Sequence, residues 1–172
     1  GYPVIIKAAA GGGGIGMQIV DEESQFGSAL KLCMSRAKSA FGDERVFVEK
    51  YIQGAQHVEF QVLADGKNAI HFGERFCSIQ RRHQKLVEEG PWLSDEKRQE
   101  IGELVCKGAE SVGYKGLATF EFLRDANGDF YFLEVNPRVQ VEHTVTELIT
   151  GYNLVELGIR VAQGLSLIHI SE

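Results

Sequence analysis

Two polar segments of this chain contain residue types that suit the binding of anions and metals. The first is the run RRHQK at residues 81–85, and the second is the run EVNPRVQVEH at residues 134–143. Phosphate binds to cationic side chains, divalent metals bind to carboxylate oxygens, and a small oxyanion fits the fork of an arginine. Together, the two segments predict a site that holds a phosphate or another small anion beside a divalent metal.

Each segment also has a simpler interpretation. Taken alone, the run 81–85 is typical of a solvated basic patch that pairs with nearby glutamates. Arg138 and Glu142 are four residues apart, which is the spacing of a salt bridge on a helix. Pro137 and the β-branched residues after it favour a loop instead, and therefore a functional role for Arg138 and Glu142.

The region from residue 118 to residue 135 predicts a β-hairpin. Its two apolar strands are joined through Asn127-Gly128, and Asn-Gly strongly favours a two-residue type I′ turn. This turn would pair Leu123 with Phe132, Glu121 with Glu134, and Thr119 with Asn136. Because side chains alternate between the two faces of a strand, Glu121, Glu134 and Asn136 would then share one face.

Two carboxylates that lie directly opposite each other in a sheet repel, and a cation is needed to offset them. Hard cations such as Mg²⁺ bind carboxylate and amide oxygens, so Glu121, Glu134 and Asn136 form a candidate metal site. The alternative is a hairpin with a solvated acidic face. A four-residue loop about the same centre would keep this register, whereas a loop of odd length would separate the two carboxylates.

A glycine-rich segment, GGGGIG at residues 11–16, follows Lys7. It matches the spacing G-x-G-x-x-G, but a dinucleotide fingerprint opens a helix, and residues 17–20 have the pattern of a strand. A Walker loop is excluded, because no Gly-Lys-Ser or Gly-Lys-Thr follows. The segment predicts either a flap whose backbone N–H groups close over phosphates, with Lys7 beside it, or an ordinary flexible hairpin.

The 172 residues have the composition of an ordinary globular protein, with 44% apolar and 24% charged residues. The net charge of −6 argues against a protein that coats nucleic acid. Cys33, Cys77 and Cys106 are far apart and lack C-x-x-C spacing, which argues against disulfides or a zinc site and favours a reducing compartment. No apolar run reaches the roughly 20 residues of a membrane span. The chain begins in the strand-like run YPVII without Met, so we expect it to be a piece of a larger protein.

Hydrophobic periodicity predicts three helices among short strands. They span about residues 24–41, 95–112 and 154–164, with N-caps at Asp21 or Ser24, at Ser94 and at Asn153. The residues of the second helix that are expected to face inward are Ile101, Leu104, Val105, Ala109 and Val112. The run EKYI at residues 49–52 is expected to cross from one lobe of the protein to the other.

Four motifs, taken in order, closely resemble biotin carboxylase, the ATP-grasp component of biotin-dependent carboxylases. They are the segment from Lys7 to Met17, EKYI at 49–52, CSIQRRHQK at 77–85 and EVNPRVQVEH at 134–143. The resemblance extends from residue 1 to about residue 166. It implies an α+β fold of the ATP-grasp type. Residues 1–50 would form a strand-rich lid, incomplete at its start, and residues 51–172 the central part of a larger antiparallel-sheet domain with flanking helices.

This resemblance also implies roles for individual residues. The residues that would bind ATP are Lys7, Gly11, Gly12, Gly13, Gly14, Gly16, Met17, Glu49, Lys50, Tyr51, Ile52, His57, Gln80 and His83. Those that would bind Mg²⁺ or Mn²⁺ are Glu121, Glu134 and Asn136, the trio that the hairpin register groups. Those that would bind bicarbonate are Lys85, Arg138, Gln140, Val141 and Glu142. Of these, Lys85 and Arg138 would be catalytic, with Glu142 as the general base.

The implied reaction is the attack of bicarbonate on the γ-phosphate of ATP, which gives ADP and carboxyphosphate. Carboxyphosphate breaks down to CO₂, which N1 of biotin then captures. Biotin would be a co-substrate on a carrier protein or domain, and a carboxyltransferase domain or subunit would be a further partner. The resemblance further implies an oligomeric parent in the cytoplasm or the mitochondrial matrix, with no nucleic-acid or membrane partner. The isolated chain is expected to be inactive, because the N-terminal and C-terminal parts of the family are missing.

Several positions depart from the family pattern. Ile15 replaces the usual Lys or Arg of the flap, Ala10 replaces Gly or Ser, and Gly90 replaces Ala. Phe76 replaces a usual Asp and is expected to place an aromatic ring beside the nucleotide-binding segment. The metal carboxylates are one residue further apart than in some relatives, and residues 167–172 do not continue the pattern.

Two alternatives therefore stay open. The chain could belong to another bicarbonate-activating ATP-grasp enzyme, such as a component of carbamoyl-phosphate synthase, although the run 80–85 favours biotin carboxylase. It could also be a nucleotide-binding regulatory module without catalytic activity, an alternative that depends on Phe76 and Ile15.

Overall fold

The computed structural model describes residues 1–10, 15–81 and 84–169, with the backbone alone at residue 169. The chain forms two compact units, Gly1–Gly54 and Ala55–Glu172. The first unit combines antiparallel strands with one helix, and the second combines them with several, as the predicted α+β class requires. Among the described residues, no helix is long and apolar enough to cross a membrane.

The first unit is a small antiparallel sheet covered by one helix. The strand order is β2-β1-β3, and the strands are β1 (Val4–Ala8), β2 (Met17–Val20) and β3 (Val46–Lys50). Helix α1 (Glu23–Phe41) packs on this sheet, with Cys33 in the core beside Ile6 and Val20. The predicted caps of α1 were wrong. Glu22 occupies the N-cap position and makes no side-chain capping hydrogen bond.

The second unit is built on a larger antiparallel sheet with the strand order β6-β5-β4-β7-β8. The strands are β4 (Gln56–Asp65), β5 (Ala69–Arg81), β6 (Gln84–Glu89), β7 (Lys115–Arg124) and β8 (Phe130–Asn136). The helices are α2 (Asp95–Ser111), α3 (His143–Thr150) and α4 (Leu154–Ala162), followed by a 3₁₀ turn at Leu167–His169. Strand β4 lies at the centre of the sheet, and most of its residues are buried on both faces.

The two faces of the central strand have different neighbours. Val58, Phe60 and Val62 point into an apolar core that helix α2 covers. Leu63 belongs to a second apolar cluster, which helix α4 covers. Glu59 and Gln61 alternate with the first set and are also fully buried. The face opposite α2 therefore changes from apolar under α4 to polar near residues 59–61.

The capping predictions for the later helices were confirmed. Ser94 accepts a hydrogen bond from the backbone N–H of Lys97, and Asn153 accepts one from that of Glu156. The prediction of the inward face of α2 was wrong at two of its five residues. Leu104 is 58% exposed and Val112 is 76% exposed, whereas Ile101, Val105 and Ala109 are buried.

Helix α3 was not predicted from the sequence. Its residues, HTVTELIT, are rich in β-branched side chains, which have low helix propensity. Its N-cap position is occupied by Glu142, whose side chain makes no capping hydrogen bond, so the usual start signal is absent. The helix ends at Gly151, whose left-handed conformation lets its N–H bond to the carbonyl of Glu147. The predicted loop before α3, which includes Arg138, was confirmed.

The β7–β8 hairpin has the predicted pairing of carboxylates but a different turn. The loop spans residues 125–129, and the Asp125 carboxylate accepts backbone hydrogen bonds from Asn127 and Asp129. This side-chain bonding favours a wider loop than a type I′ turn. Leu123 therefore pairs with Tyr131, so the predicted pairing with Phe132 was wrong.

A β-bulge corrects the register beyond this loop. Leu133 has no partner on β7, so that Phe122 pairs with Phe132 and Glu121 pairs with Glu134. The loop of odd length shifts the register by one residue, and the bulge shifts it back. The extra residue between the two carboxylates is therefore accommodated without separating them.

Candidate active site

Four charged residues lie in one row across the large sheet. Arg75 pairs with Glu59, Glu59 pairs with Glu121, and Glu121 pairs with Glu134, on strands β5, β4, β7 and β8 in that order. Arg75, Glu59 and Glu121 are at most 5% exposed, whereas Glu134 lies at the exposed end of the row. Directly opposed carboxylates repel, so this row requires cations.

Lys85 supplies one of these cations. Its Nζ donates to a carboxylate oxygen of Glu59 and to one of Glu142, and it lies 3.3 Å from Oε1 of Glu121. Burial lowers the pKa of Lys85, but the negative charge of Glu59 and the hydrogen bonds to Glu142 and Glu59 outweigh that effect and raise it. The amine is therefore held as an ammonium among three carboxylates.

Glu121 is the most heavily bonded carboxylate of the row. Burial raises its pKa, but hydrogen bonds from His57 and Gln140, together with the charge of Lys85, outweigh burial and lower the pKa to about 2. The distances are 2.8 Å from His57 Nε2 to Oε2 and 2.9 Å from Gln140 Nε2 to Oε1. Glu121 is consequently ionised throughout the neutral range.

His57 links Glu121 to strand β5, which ends at Arg81, the first residue of the RRHQK run. Its Nδ1 is 2.7 Å from Nε2 of Gln80, whose side chain also donates to the carbonyl of Cys77. Because the Gln80 amide nitrogen is a donor, Nδ1 of His57 is the acceptor and Nε2 carries the proton that Glu121 accepts. Gln80, His57 and Glu121 thus form one chain of hydrogen bonds.

The candidate metal ligands converge on one point. Asn136 Nδ2 lies 2.9 Å from Oε1 of Glu121 and 3.2 Å from Oε1 of Glu134. The partly positive amide nitrogen thus stands where a cation would bridge the two carboxylates. Rotation of the amide would present its oxygen instead, which is the atom that Mg²⁺ or Mn²⁺ binds. Within the described parts of the chain, Glu134 has no ion-pair partner.

A second group of possible ligands lies deeper in the same sheet. One atom each from His57, Glu59 and Glu121 lie within 4.8 Å of one another. The ammonium of Lys85 already neutralises Glu59 and approaches Glu121. A metal at this position would compete with Lys85, so the outer trio with Glu134 and Asn136 is the better candidate.

Gln140 carries a buried acceptor without a partner. Its Nε2 donates to Glu121, which fixes the orientation of the amide, and the side chain is 7% exposed. Its Oε1 has no hydrogen-bond partner among the described residues. A buried acceptor without a donor is costly, so this oxygen is suited to a bound molecule that carries an O–H or N–H group.

Glu142 lies at the N-cap of helix α3 and is 7% exposed. Burial raises its pKa, but the hydrogen bond from Lys85, a backbone hydrogen bond and the charges of Lys85 and Arg75 outweigh it and lower the pKa. The carboxylate is therefore ionised at neutral pH and can accept a proton.

The structure does not bring every predicted residue into this cluster. Arg138 bonds to the carbonyl of Val139 and lies 3.4 Å from Oδ1 of Asn136, and no ion pair joins it to the described carboxylates. The side chain of Val141 is 92% exposed. His83 and Gly11, Gly12, Gly13 and Gly14 lie outside the described residues.

The other predicted ATP-binding residues belong to the first unit, and two of them, Lys7 and Lys50, contact other residues of that unit. Lys7 on β1 forms an ion pair with Glu49 on β3. The ammonium of Lys50 donates to the carbonyl of Gly1 at 3.3 Å. The remaining predicted residues of this unit are Gly16, Met17, Tyr51 and Ile52, which lie at or beside the ends of its strands.

Sequence reasoning missed the two most deeply buried members of the site. Glu59 and Arg75 are fully buried, and Nε of Arg75 donates to Oε1 of Glu59 at 2.7 Å. A signal was present, because Glu59 and Gln61 occupy alternate positions of an otherwise apolar strand. Charged residues are almost never fully buried unless they are paired.

Phe76 does not lie where the sequence suggested. Its ring stacks on Trp92 with the centroids 4.5 Å apart, in the core that helix α2 covers. Arg75 and Cys77, its neighbours on β5, point to the opposite face, and the charges of Glu59 and Lys85 act on the thiol of Cys77. The expectation that Phe76 places an aromatic ring beside the nucleotide-binding segment was therefore wrong.

The sequence and the fold have counterparts among known proteins. Residues 1–170 match the family described as "Carbamoyl-phosphate synthase L chain, ATP binding domain", and the chain belongs to that family. It is similar to a pyruvate carboxylase subunit from Methanothermobacter thermautotrophicus. The two are 56% identical over 167 residues, which cover 95% of this chain and 34% of the relative. The chain thus spans about a third of the length of this relative.

Solved structures show the same fold. The biotin carboxylase–β,γ-ATP complex from Campylobacter jejuni has a TM-score of 0.93 and 51% identity, covering 97% of this chain and 38% of that one. The biotin carboxylase domain of the Hydrogenobacter thermophilus 2-oxoglutarate carboxylase, in complex with MgADP, ADP and bicarbonate, has a TM-score of 0.92 and 48% identity. The match covers 97% of this chain and 38% of the Hydrogenobacter chain. The predicted ATP-grasp fold of the α+β class is confirmed by these structures.

Proposed function

We propose that this chain is the ATP- and bicarbonate-binding part of a biotin carboxylase, an ATP-dependent carbon–nitrogen ligase. Residues 1–50 would form the lid of its ATP-grasp fold, and residues 51–172 the central part of the larger domain. The observation that carries the proposal is the position of Lys85. Its ammonium joins Glu142, the candidate base, to Glu121, the candidate metal ligand.

In the proposed reaction, bicarbonate transfers its proton to Glu142 while one of its oxygens attacks the γ-phosphorus of ATP. The bond from that phosphorus to the bridging oxygen breaks, and ADP and carboxyphosphate form. Carboxyphosphate then breaks down to CO₂ and inorganic phosphate. N1 of biotin bonds to the carbon of CO₂, and its proton passes to the released phosphate. Phosphoryl transfer depends mainly on positioning and charge neutralisation, both of which this site can supply.

The lowered pKa of Glu142 agrees with its role as a base, because the carboxylate must be ionised before it can accept a proton. A base works best when its pKa lies near the working pH. An anionic γ-phosphate beside Glu142 would raise its pKa towards that range, and Lys85 would keep it ionised. We assign Lys85 and Arg138 to the negative charge of bicarbonate.

Gln140 supports bicarbonate as the small substrate. Its buried Oε1, which lacks a hydrogen-bond partner within the described part of the chain, can accept a hydrogen bond, and bicarbonate carries one O–H donor. Lys85 approaches the same oxygen of Glu121 as this amide, and it carries the positive charge that the bicarbonate oxygens need. We assign the backbone of Val141 to the same substrate, because its side chain points to solvent.

Glu121, Glu134 and Asn136 fit a hard divalent cation, since two carboxylates and one amide converge on one point. A bound Mg²⁺ or Mn²⁺ would neutralise charge on the phosphates of ATP. The three side chains hold this position from adjacent strands, and the bulge at Leu133 keeps Glu134 opposite Glu121.

We assign the remaining predicted residues to ATP. Lys7 and the glycine segment 11–16, with Met17, would hold the phosphates, and residues 49–52 would line the adenine pocket. His57, Gln80 and His83 would contact the nucleotide. The Hydrogenobacter thermophilus domain, at 48% identity, is a complex with MgADP and bicarbonate, which supports these ligand classes.

Two alternatives to biotin carboxylation were carbamoyl-phosphate synthesis and a nucleotide-binding module without catalytic activity. The similar proteins are named as biotin carboxylases or as part of a pyruvate carboxylase, which favours biotin carboxylation over carbamoyl-phosphate synthesis. The packing of Phe76 against Trp92 removes the main argument for a module without catalytic activity. Ile15, the other residue on which that alternative depends, is 56% exposed. We further propose a biotin carrier and a carboxyltransferase as partners of an oligomeric parent in the cytoplasm or the mitochondrial matrix.

The proposal is tested by measuring ADP release from the full-length parent with MgATP, with and without bicarbonate and free biotin. We expect release that requires bicarbonate and increases with biotin. Biotin-independent release that depends on an ammonia donor would favour a carbamoyl-phosphate synthase. Tight MgATP binding without any release would identify a catalytically inactive module.

A further inference from the structure

A closed ring of contacts joins Lys85 to Glu142 through the interior of the protein. Lys85 donates to Oε2 of Glu59, and Nε of Arg75 donates to Oε1 of the same carboxylate at 2.7 Å. Nη1 of Arg75 donates to Oγ1 of Thr146 at 2.8 Å. Thr146 lies one turn after Glu142 in helix α3, and Glu142 accepts a hydrogen bond from Lys85. The candidate base is thus attached to its lysine partner by two independent routes.

Helix α3 has few other means of fixing its position. It has eight residues, and helices of this length are marginal without tertiary contacts. Its N-cap residue makes no side-chain hydrogen bond to the helix backbone, and Thr146 is the one buried residue of the helix. Thr146 is 2% exposed, and its hydroxyl accepts the hydrogen bond from Arg75. The Arg75–Thr146 bond is therefore placed to set where α3 lies on the sheet.

Arg75 is well suited to hold this position. Its side chain is fully buried, and its other contacts are 2.9 Å to Oε1 of Gln61 and 3.4 Å to Oγ1 of Thr119. Breaking a buried charge pair is costly, so the guanidinium stays with Glu59 and is held by two neighbouring strands. An arginine fork with several partners has one geometry, whereas an apolar contact would allow α3 to slide.

We infer that Arg75 and Thr146 are positioning residues, which hold the Glu142 carboxylate against Lys85 for the deprotonation of bicarbonate. This inference rests on the proposed function. Neither residue touches the reacting atoms in this assignment. Arg75 acts through Thr146 and helix α3 on Glu142, and through Glu59 on Lys85. Lys85 and Glu142 are therefore both held in position by the same buried residue, Arg75.

The test replaces Thr146 in the full-length parent and leaves every charge in place. Thr146→Val removes the acceptor at nearly constant volume, whereas Thr146→Ser keeps the hydroxyl. We expect Thr146→Val to lower kcat/KM for bicarbonate by about 10- to 100-fold, because small misplacements of a reacting group have costs of this size. The KM for ATP should stay within about twofold, and Thr146→Ser should restore most of the bicarbonate efficiency.

Thr150→Val is the matched control. Thr150 lies in the same helix and donates to the carbonyl of Thr146 at 2.7 Å, without touching Arg75. A loss that Thr150→Val shares, or a Thr146→Val enzyme with unchanged bicarbonate efficiency, would overturn the inference.

A crystal structure of the Thr146→Val variant separates this inference from the proposed function. If the unmodified parent releases no ADP with bicarbonate, the proposed function fails, but the structure still reports where Glu142 lies. We expect helix α3 to shift and the contact between Lys85 and Glu142 to open. An unmoved helix with this contact intact would overturn the positioning role, whatever the activity.

Discussion

Glu121 and Glu134 lie directly opposite each other on strands β7 and β8, although the loop that joins these strands has an odd number of residues. The bulge at Leu133 supplies the compensating shift. The loop and the bulge are therefore coupled, and a change in one is tolerated only if the register at Glu134 is kept.

This coupling predicts that shortening strand β8 by one residue and lengthening it by one residue have opposite effects on the position of Glu134. Deletion of Leu133 should preserve the pairing of Glu121 with Glu134, because the strand then continues without a bulge in the register that the loop sets. Insertion of one Ala after Leu133 should turn Glu134 to the other face. In the full-length parent, we expect the deletion to retain metal-dependent ADP release and the insertion to lower it by about 10-fold or more. Equal loss in both variants would contradict the bulge as the source of the register.

Glu134→Gln tests the metal site itself. The substitution removes one negative charge at nearly constant volume from an exposed strand position, so the fold should be unaffected. We expect the concentration of Mg²⁺ needed for half-maximal ADP release to rise by about 10-fold or more. Glu89→Gln, which changes an exposed carboxylate on β6, is the control and should leave the Mg²⁺ dependence as it is. A Glu134→Gln enzyme with normal Mg²⁺ dependence would refute the assignment.

The sequence was most informative where one local rule determined the geometry. The alternation of side chains on β8 was enough to group Glu134 with Asn136, and the hairpin brought Glu121 to the same face. The turn type was wrong, because the carboxylate of Asp125 bonds the loop backbone. The grouping survived because a second irregularity, at Leu133, cancelled the first.

The rest of the site depends on contacts between residues far apart in the chain. Arg75 and Thr146 are separated by most of the second unit, and no local pattern indicates that they meet. Helix α3 has the composition of a strand, and tertiary contacts override its propensity. Glu59 was detectable as a charge in an apolar strand, but its partners could be identified only from the fold.

The lowered pKa of Glu121 predicts a dependence of stability on pH. A carboxyl group with a depressed pKa in the folded state stabilises the fold above its unfolded pKa of 4.5, and this contribution is lost as the pH falls towards about 2. The loss amounts to about 3 kcal/mol for this group. The free energy of unfolding can be measured with urea, with the fluorescence of Trp92 as the signal. Between pH 4.5 and pH 2, it should fall less for Glu121→Gln than for the unmodified chain. If the free energy of unfolding depended on pH in the same way in both proteins, Glu121 would not be the group that titrates.

The position of Phe76 predicts that it stabilises the core and does not contact substrate. Phe76→Ala removes a partly buried ring that stacks on Trp92, so the free energy of unfolding should fall by about 1–3 kcal/mol. Phe76→Leu keeps most of the apolar volume. In the full-length parent, this variant should bind MgATP and release ADP within about twofold of the unmodified protein, because Phe76 and Arg75 point to opposite faces of β5. A large change in MgATP affinity for Phe76→Leu, without a change in stability, would place the ring at the nucleotide after all.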